Sequence, residues 1–180
     1  MTAASFTTCT EDMFEILRYL AILCDLQSDF CGIYDTFNRE AMNYISGCES
    51  ADIISLFLES LVYGSRQYIT DDEMASLLNT MKNALTADID PHSLMYISRY
   101  CNVAQSRNLT ASDEICSYLE SVYRRVKENY CRDMICTNRI DILYLMRSAI
   151  YLWQAGILPE TEANRDVADI VEKSPLICVN

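Results

Sequence analysis

Four short segments of this chain share one pattern at nearly even spacing, and that pattern constrains the fold more than any single residue does. Asp12 to Arg18, Asp52 to Leu58, Ser93 to Arg99 and Asp141 to Arg147 each open on a small polar or acidic starter. Two apolar residues follow, then a variable one, then another apolar one, and three of the four segments close on arginine. The starters stand 40, 41 and then 48 residues apart. Between them, Asp72-Glu73-Met74-Ala75-Ser76-Leu77-Leu78 parallels Asp113-Glu114-Ile115-Cys116-Ser117-Tyr118-Leu119. Ile69-Thr70 and Leu109-Thr110 precede these two stretches, and Leu158-Pro159 takes the same place before the last one. A period near 40 residues with two helices per unit belongs to stacked helix pairs, because one pair cannot bury its apolar face alone. The longer last step places an insertion at Tyr130 to Thr137.

The local spacing agrees with helices. Phe14, Leu17, Leu20, Ala21 and Cys24 fall on one face of a 3.6-residue period, as do Ile53, Phe57, Leu58 and Leu61. Thr70-Asp71-Asp72-Glu73 is a capping box, in which the threonine and the glutamate satisfy each other's orphan N–H groups. Asp90-Pro91 sets an acidic cap before a proline at the first helical position, and Leu158-Pro159-Glu160 reads as another start. Gly47, Gly64 and Gly156 mark helix ends. The expectation is an all-α chain of about eight helices, at 10–25, 29–46, 51–64, 71–86, 91–105, 111–130, 138–156 and 160–173. They form four stacked antiparallel pairs in one α-solenoid domain, residues 1–173. Cys131 to Thr137 is a connector, and 174–180 is a short tail whose Leu176, Ile177 and Val179 are apolar enough to dock back. With 51% hydrophobic residues the chain can fill a continuous core. Its four glycines and three prolines are too few for the turns of an all-β fold.

The helix-pair period, with its polar starters and apolar pairs, resembles the α-solenoid repeat proteins over residues 10–173. It is nearest to the HEAT-like and octotricopeptide-like arrays of organellar RNA-associated factors. That resemblance implies binding of a partner or of RNA along a concave surface, and no catalysis. The acidity of this chain departs from the RNA-binding members. A second likeness is compositional: a small all-α chain rich in Cys, Tyr, Ile, Asp and Asn is similar to the Bcl-2-like decoys of large DNA viruses. That likeness implies a hydrophobic groove for a partner helix. Trp153 lies in Leu152-Trp153-Gln154-Ala155, which is not the Asn-Trp-Gly-Arg-type stretch of that family.

Charge and cysteine usage narrow the function. The formal net charge is −12. Up to residue 90, Arg18, Arg39, Arg66 and Lys82 face fifteen acidic residues, whereas ten basic residues face eleven acidic ones from Pro91 on. The first half therefore repels nucleic acid and anionic lipid and suits a basic partner. The nine cysteines follow no regular short spacing, and a core of this size needs no disulfide staples. Cys24, Cys101 and Cys116 fall among apolar helix positions, as buried thiols do. The expected setting is a reducing, intracellular compartment, cytoplasmic or organellar. The start of the chain carries no basic, apolar or acylation signal, so Asn108-Leu109-Thr110 is read as a chance glycosylation sequon. The most apolar stretch, Ile140 to Leu158, carries Asp141 and Arg147. A mid-span arginine costs ~2.5 kcal/mol or more in lipid, so a buried amphipathic helix explains the stretch better.

Candidate chemistry is sparse. His92 is the single histidine and stands in a first helical turn, where a surface role is expected. One histidine and no C-x-x-C pair give a zinc site little to work with. Cys131 and Cys136 are read as ordinary thiols. Asp88-Ile89-Asp90 fails as a calcium loop, since Ser93 and Arg99 stand where glycine and glutamate belong. No cofactor or metal is expected. The one patch with binding character is Arg124, Arg125, Lys127 and Arg132 with Tyr123 and Tyr130 interleaved, because cations beside aromatic faces hold phosphates and stack bases. Cations near a helix C-terminus also offset its dipole, and Glu128 and Asp133 dilute the patch. The reading is a non-enzymatic helical-repeat scaffold or adaptor that binds a protein partner within a larger assembly. The alternatives are an RNA-associated organellar repeat factor and a viral Bcl-2-like decoy binding a partner helix.

Overall fold

The computed structural model describes residues 10–48, 50–61, 70–84, 89–109, 113–133 and 139–173. Among these the chain is all-α, with eight α-helices, one 3-10 turn at Ser28–Phe30 and no strand. The helices are α1 (Thr10–Leu26), α2 (Cys31–Ile45), α3 (Ala51–Ser60), α4 (Asp71–Ala84), α5 (Pro91–Ser106), α6 (Asp113–Asp133), α7 (Arg139–Gln154) and α8 (Glu160–Lys173). Residues 134–137 of the expected insertion and the whole tail lie outside the described residues, as do Gly64 and Cys136.

The starts follow from side chains that satisfy orphan backbone donors. Ser50 accepts from the Ile53 N–H before α3. The capping box before α4 is complete: Thr70 N–H donates to Glu73 Oε2 at 2.8 Å, and Glu73 N–H donates to Thr70 Oγ1 at 3.2 Å. Asp90 accepts from Ser93 N–H at 2.6 Å, with Pro91 in the first helical position. The stops are also local. Gly156 takes φ 75° after α7, where Ile157 N–H reaches back to the Leu152 carbonyl. Asn108 takes φ 61° after α5, with Leu109 N–H bonded to the Ala104 carbonyl. Both ends are Schellman motifs, with asparagine standing in for glycine in the left-handed position. Each falls fifteen residues after its starter, Ser93 to Asn108 and Asp141 to Gly156.

Several boundaries differ from expectation. Helix α3 ends at Ser60, four residues before the expected 64, with Leu61 already in a turn, and α7 ends at Gln154 rather than 156. The 3-10 turn at Ser28–Phe30 delays α2 to Cys31. Helix α6 runs on through Asp133, so Cys131 and Arg132 are helical rather than part of a connector. No glycine or proline stands near Cys131 to stop the helix.

The odd-numbered helices make a row: α1 packs on α3, α3 on α5, and α5 on α7. The most extensive contact is between α5 and α7. Within the row, Phe14 meets Phe57 and Arg18 meets Glu59, so α1 and α3 run in the same direction. Tyr144 meets His92 and Gln154 meets Asn102, which gives the same sense for α5 and α7. Helix α2 lies against α1 and α8 against α7, while α6 touches α5, α7 and α8. The core runs through all of them. Phe14, Leu17, Ala21 and Cys24 of α1 are buried as their spacing predicts, as are Phe57 and Leu58 of α3. A fully buried Leu, Ile or Phe contributes about 1.5–3 kcal/mol, so the row is held chiefly by apolar burial.

One polar contact crosses the row inside this packing. Ser93 Oγ, the starter hydroxyl of α5, donates to Asp52 Oδ1, the starter carboxylate of α3, at 2.9 Å. It also lies 3.0 Å from Ser55 Oγ. Ser93 and Ser55 are buried. Ser55 Oγ donates to the Asp52 carbonyl at 2.7 Å within its own helix, so the Ser93 hydroxyl is the one that relies on Asp52 across the row. Replacing Ser93 by alanine is expected to cost about 1–2 kcal/mol, because a hydrogen bond to a charged group is lost. A double-mutant cycle of Ser93→Ala with Asp52→Ala, followed by urea unfolding, should show that most of the loss is shared.

Candidate functional site

Five of the six residues of the basic patch have described side chains, and all five lie on α6. The structure uses most of their charge internally. Tyr123 is fully buried, and its hydroxyl donates to Asp166 Oδ2 on α8 at 3.2 Å. Lys127 Nζ lies 2.7 Å from Asp166 Oδ1, an ion contact whose angle falls outside hydrogen-bond geometry. Asp166 has no exposed surface. Arg124 lies 2.6 Å from Glu120 one turn earlier and 3.1 Å from Glu162 on α8. Arg125 is half-buried, and its Nε has no hydrogen-bond partner among the described residues. Tyr130 is half-buried against the core. Arg132 is in the last turn of α6, with its side chain outside the described residues.

The patch is therefore a seam between α6 and α8. Sequence reading found its cations but not its anions, Asp166 and Glu162. A signal for Asp166 was present: it falls in the Ala163, Asp166, Ile170 stripe that α8 buries, where an acidic residue requires a partner.

A second polar cluster lies along the row of odd helices, and sequence reading did not assemble it. Arg18 of α1 stands 3.4 Å from Glu59 of α3 and 3.7 Å from Glu15. On the other side of Glu59, His92 Nε2 of α5 is 3.5 Å away. The His92 ring packs edge-on against Tyr96 at 4.9 Å and Tyr144 of α7 at 5.1 Å. His92 is thus half-buried and bridges three helices, where a surface position was expected. The reason is that Glu59 of α3 and Tyr144 of α7 both reach the start of α5, which no local spacing reveals. Next to Glu59, a cleft of about 230 Å³ opens between α1 and α3, lined by Phe14, Glu15, Arg18, Leu56, Glu59 and Ser60. Its one guanidinium and two carboxylates mainly bind each other, which holds α1 to α3.

Burial sets the chemistry of nearby groups. The Asp141 carboxyl is held above its usual range, first by burial and next by the Asp90 carboxylate, while His92 opposes the shift. The Cys101 thiol is pushed up to about 12, by burial first and then by Cys116. Cys116 is raised too, by burial and then by Asp113, with a backbone hydrogen bond opposing. These two thiols stay protonated at neutral pH, which makes them poor nucleophiles and poor metal ligands. Burial also raises Tyr100, whose hydroxyl donates to the Met74 carbonyl at 3.3 Å. Among the described residues, no three or more His, Cys, Asp or Glu side chains gather as a metal site. No described helix is long and apolar enough to cross a membrane. Comparison of the chain with protein-family models, with curated proteins and with solved structures found no match.

Two outcomes follow from this geometry. Lys127→Ala leaves the buried Asp166 charge with only the Tyr123 hydroxyl and the more distant Arg165 Nε at 3.7 Å, and should cost ~3 kcal/mol in urea unfolding, the low end of the range because Lys127 reaches water and Arg165 stays near. Pairing it with Asp166→Leu should recover much of that loss. Asp141 binds its proton more tightly in the folded chain than in the unfolded one. Its ionised form therefore costs stability at neutral pH, and that cost fades as pH falls through the carboxylate range. Asp141→Asn should raise the Tm at neutral pH, and thermal scans across acid pH should show the advantage shrinking.

Proposed function

We propose that this chain is a non-enzymatic helical-repeat scaffold, an α-solenoid of four helix pairs that binds a protein partner within a larger assembly. The observation that carries the reading is the contact between starters of successive units, Ser93 Oγ on Asp52 Oδ1 at 2.9 Å. Equivalent positions of stacked repeats meet in this way, since each unit presents the same flank to the next. The matched Schellman ends after α5 and α7 add to it. The resemblance to HEAT-like arrays points to the same class of function, which is binding along an extended surface.

The partner is a basic protein surface. The described acidic residues of the first half include Asp12, Glu15, Asp25, Asp71 and Asp72, all exposed. Exposed carboxylates such as these steer a basic partner and repel nucleic acid. The RNA-binding alternative draws less support from the α6 cations, since Arg124 and Lys127 are matched by Glu120, Glu162 and Asp166.

The test is affinity capture of the tagged full chain from its native cells, with and without nuclease, read by mass spectrometry. Protein partners should survive nuclease. Charge reversal of both Asp71 and Asp72 should lower their recovery several-fold. Asp71 gives up only an exposed 3.3 Å contact with Arg107, worth at most ~1 kcal/mol, so the helix should persist by circular dichroism. Partners that vanish with nuclease, or recovery indifferent to the reversal, would count against the proposal.

A further inference from the structure

Eight of the eleven large apolar side chains that the described residues expose belong to α1 and α7, the two ends of the row. The inner helices α3 and α5 expose none among the described residues. On α1 these are Ile16, Tyr19, Ile22 and Leu26, at helical spacing along one flank, with Leu26 78% exposed. On α7 they are Ile140, Leu143, Ile150 and Trp153, with Leu143 52% exposed. An inner helix of the row has an odd-numbered neighbour on each side, whereas α1 packs on α3 and α7 packs on α5. Stacked-helix proteins that end in water normally carry polar outer faces on their terminal units. Here the terminal flanks are apolar, which marks interaction surfaces.

The two flanks match in charge as well as in chemistry. Asp12, Glu15 and Asp25 are exposed on α1 beside its apolar residues. Arg147 is exposed on α7, midway between Leu143 and Ile150. An acidic apolar flank and a basic apolar flank attract each other, whereas two copies of either flank would oppose like charges. The segments Asp12 to Arg18 and Asp141 to Arg147 also share the starter pattern of the row. Helix α1 of another molecule can therefore take on α7 the place that α7 takes on α5.

We infer that a second copy of this chain docks its α1 flank on the α7 flank, extending the row of helices head to tail. The inference rests on the stacked-pair reading given above. The contact is heterologous, so one copy leaves both a free α1 flank and a free α7 flank at the ends of the assembly. Growth continues unless the rotation closes a ring.

Sedimentation velocity of the full chain across a concentration series tests this. The wild-type chain should assemble beyond a dimer as concentration rises. Tyr19→Asp on α1 and Leu143→Asp on α7 should each weaken association about tenfold or more, the scale of a central interface residue. Both side chains are exposed, so helicity should be unchanged by circular dichroism. An equimolar mixture of the two variants should form a heterodimer and stop there, since one intact α1 flank meets one intact α7 flank. Arg147→Glu should weaken association, and adding Asp12→Lys to the same chain should restore it. A wild-type chain that stays monomeric at every concentration would overturn the inference. So would a flank variant that associates normally, or a variant mixture that remains monomeric. Small-angle scattering on the monomeric variants separates the two ideas: an elongated monomer keeps the stacked-pair reading even where self-association fails.

Discussion

A single helix pair of this composition has more apolar surface than it can cover, and the rest of the structure is a response to that fact. Leu17, Phe57, Ile97 and Leu145, one from each odd helix, are all buried. Such residues become dry only when the next odd helix and the neighbouring even helices close over them. The row from α1 to α7 is therefore cooperative by construction: each inner helix is stabilised by neighbours distant in sequence. Apolar burial supplies the drive, but it carries little directional information.

Direction comes from the polar groups set into that packing. Ser93, Ser55 and Asp52 meet where α5 crosses α3. Tyr123, Lys127 and Asp166 meet where α6 crosses α8. A shift of either helix pair would leave buried hydroxyls or a buried carboxylate without partners, which costs more than the bonds themselves contribute. These contacts thus select one register among the many that apolar stripes alone would tolerate. The Arg18, Glu59 and His92 line does the same at the half-buried edge of the row, where nearby water weakens it.

Much of the fold was legible from local chemistry. The α1 face, the capping box at Thr70, the cap at Asp90 and the stop at Gly156 each depend on residues within one or two turns. Local patterns report such features faithfully. Where local signals were weak, the reading slipped: nothing in the sequence near Cys131 marks the end of α6, and Asn108 ends α5 in a left-handed position that glycine more often fills. The basic patch was half legible. Its cations cluster within one helix, and Glu120 one turn from Arg124 is local, but the carboxylates Glu162 and Asp166 arrive from α8, far along the chain.

Periodicity, caps and composition by themselves determined that the described residues are all-α, that they form eight α-helices, and which faces of α1 and α3 turn inward. Those properties depend on backbone hydrogen bonding and side-chain spacing, which are short-range. The tertiary structure alone decided what each charged or aromatic group does. It moved Tyr123 from a candidate stacking face to a buried hydrogen-bond donor, and His92 from the surface to a bridge between three helices. It also gathered most of the large exposed apolar residues, among those described, on the two end helices of the row. The physical reason is that a group's function depends on its partners, and partners from different helices are brought together only when the helices pack.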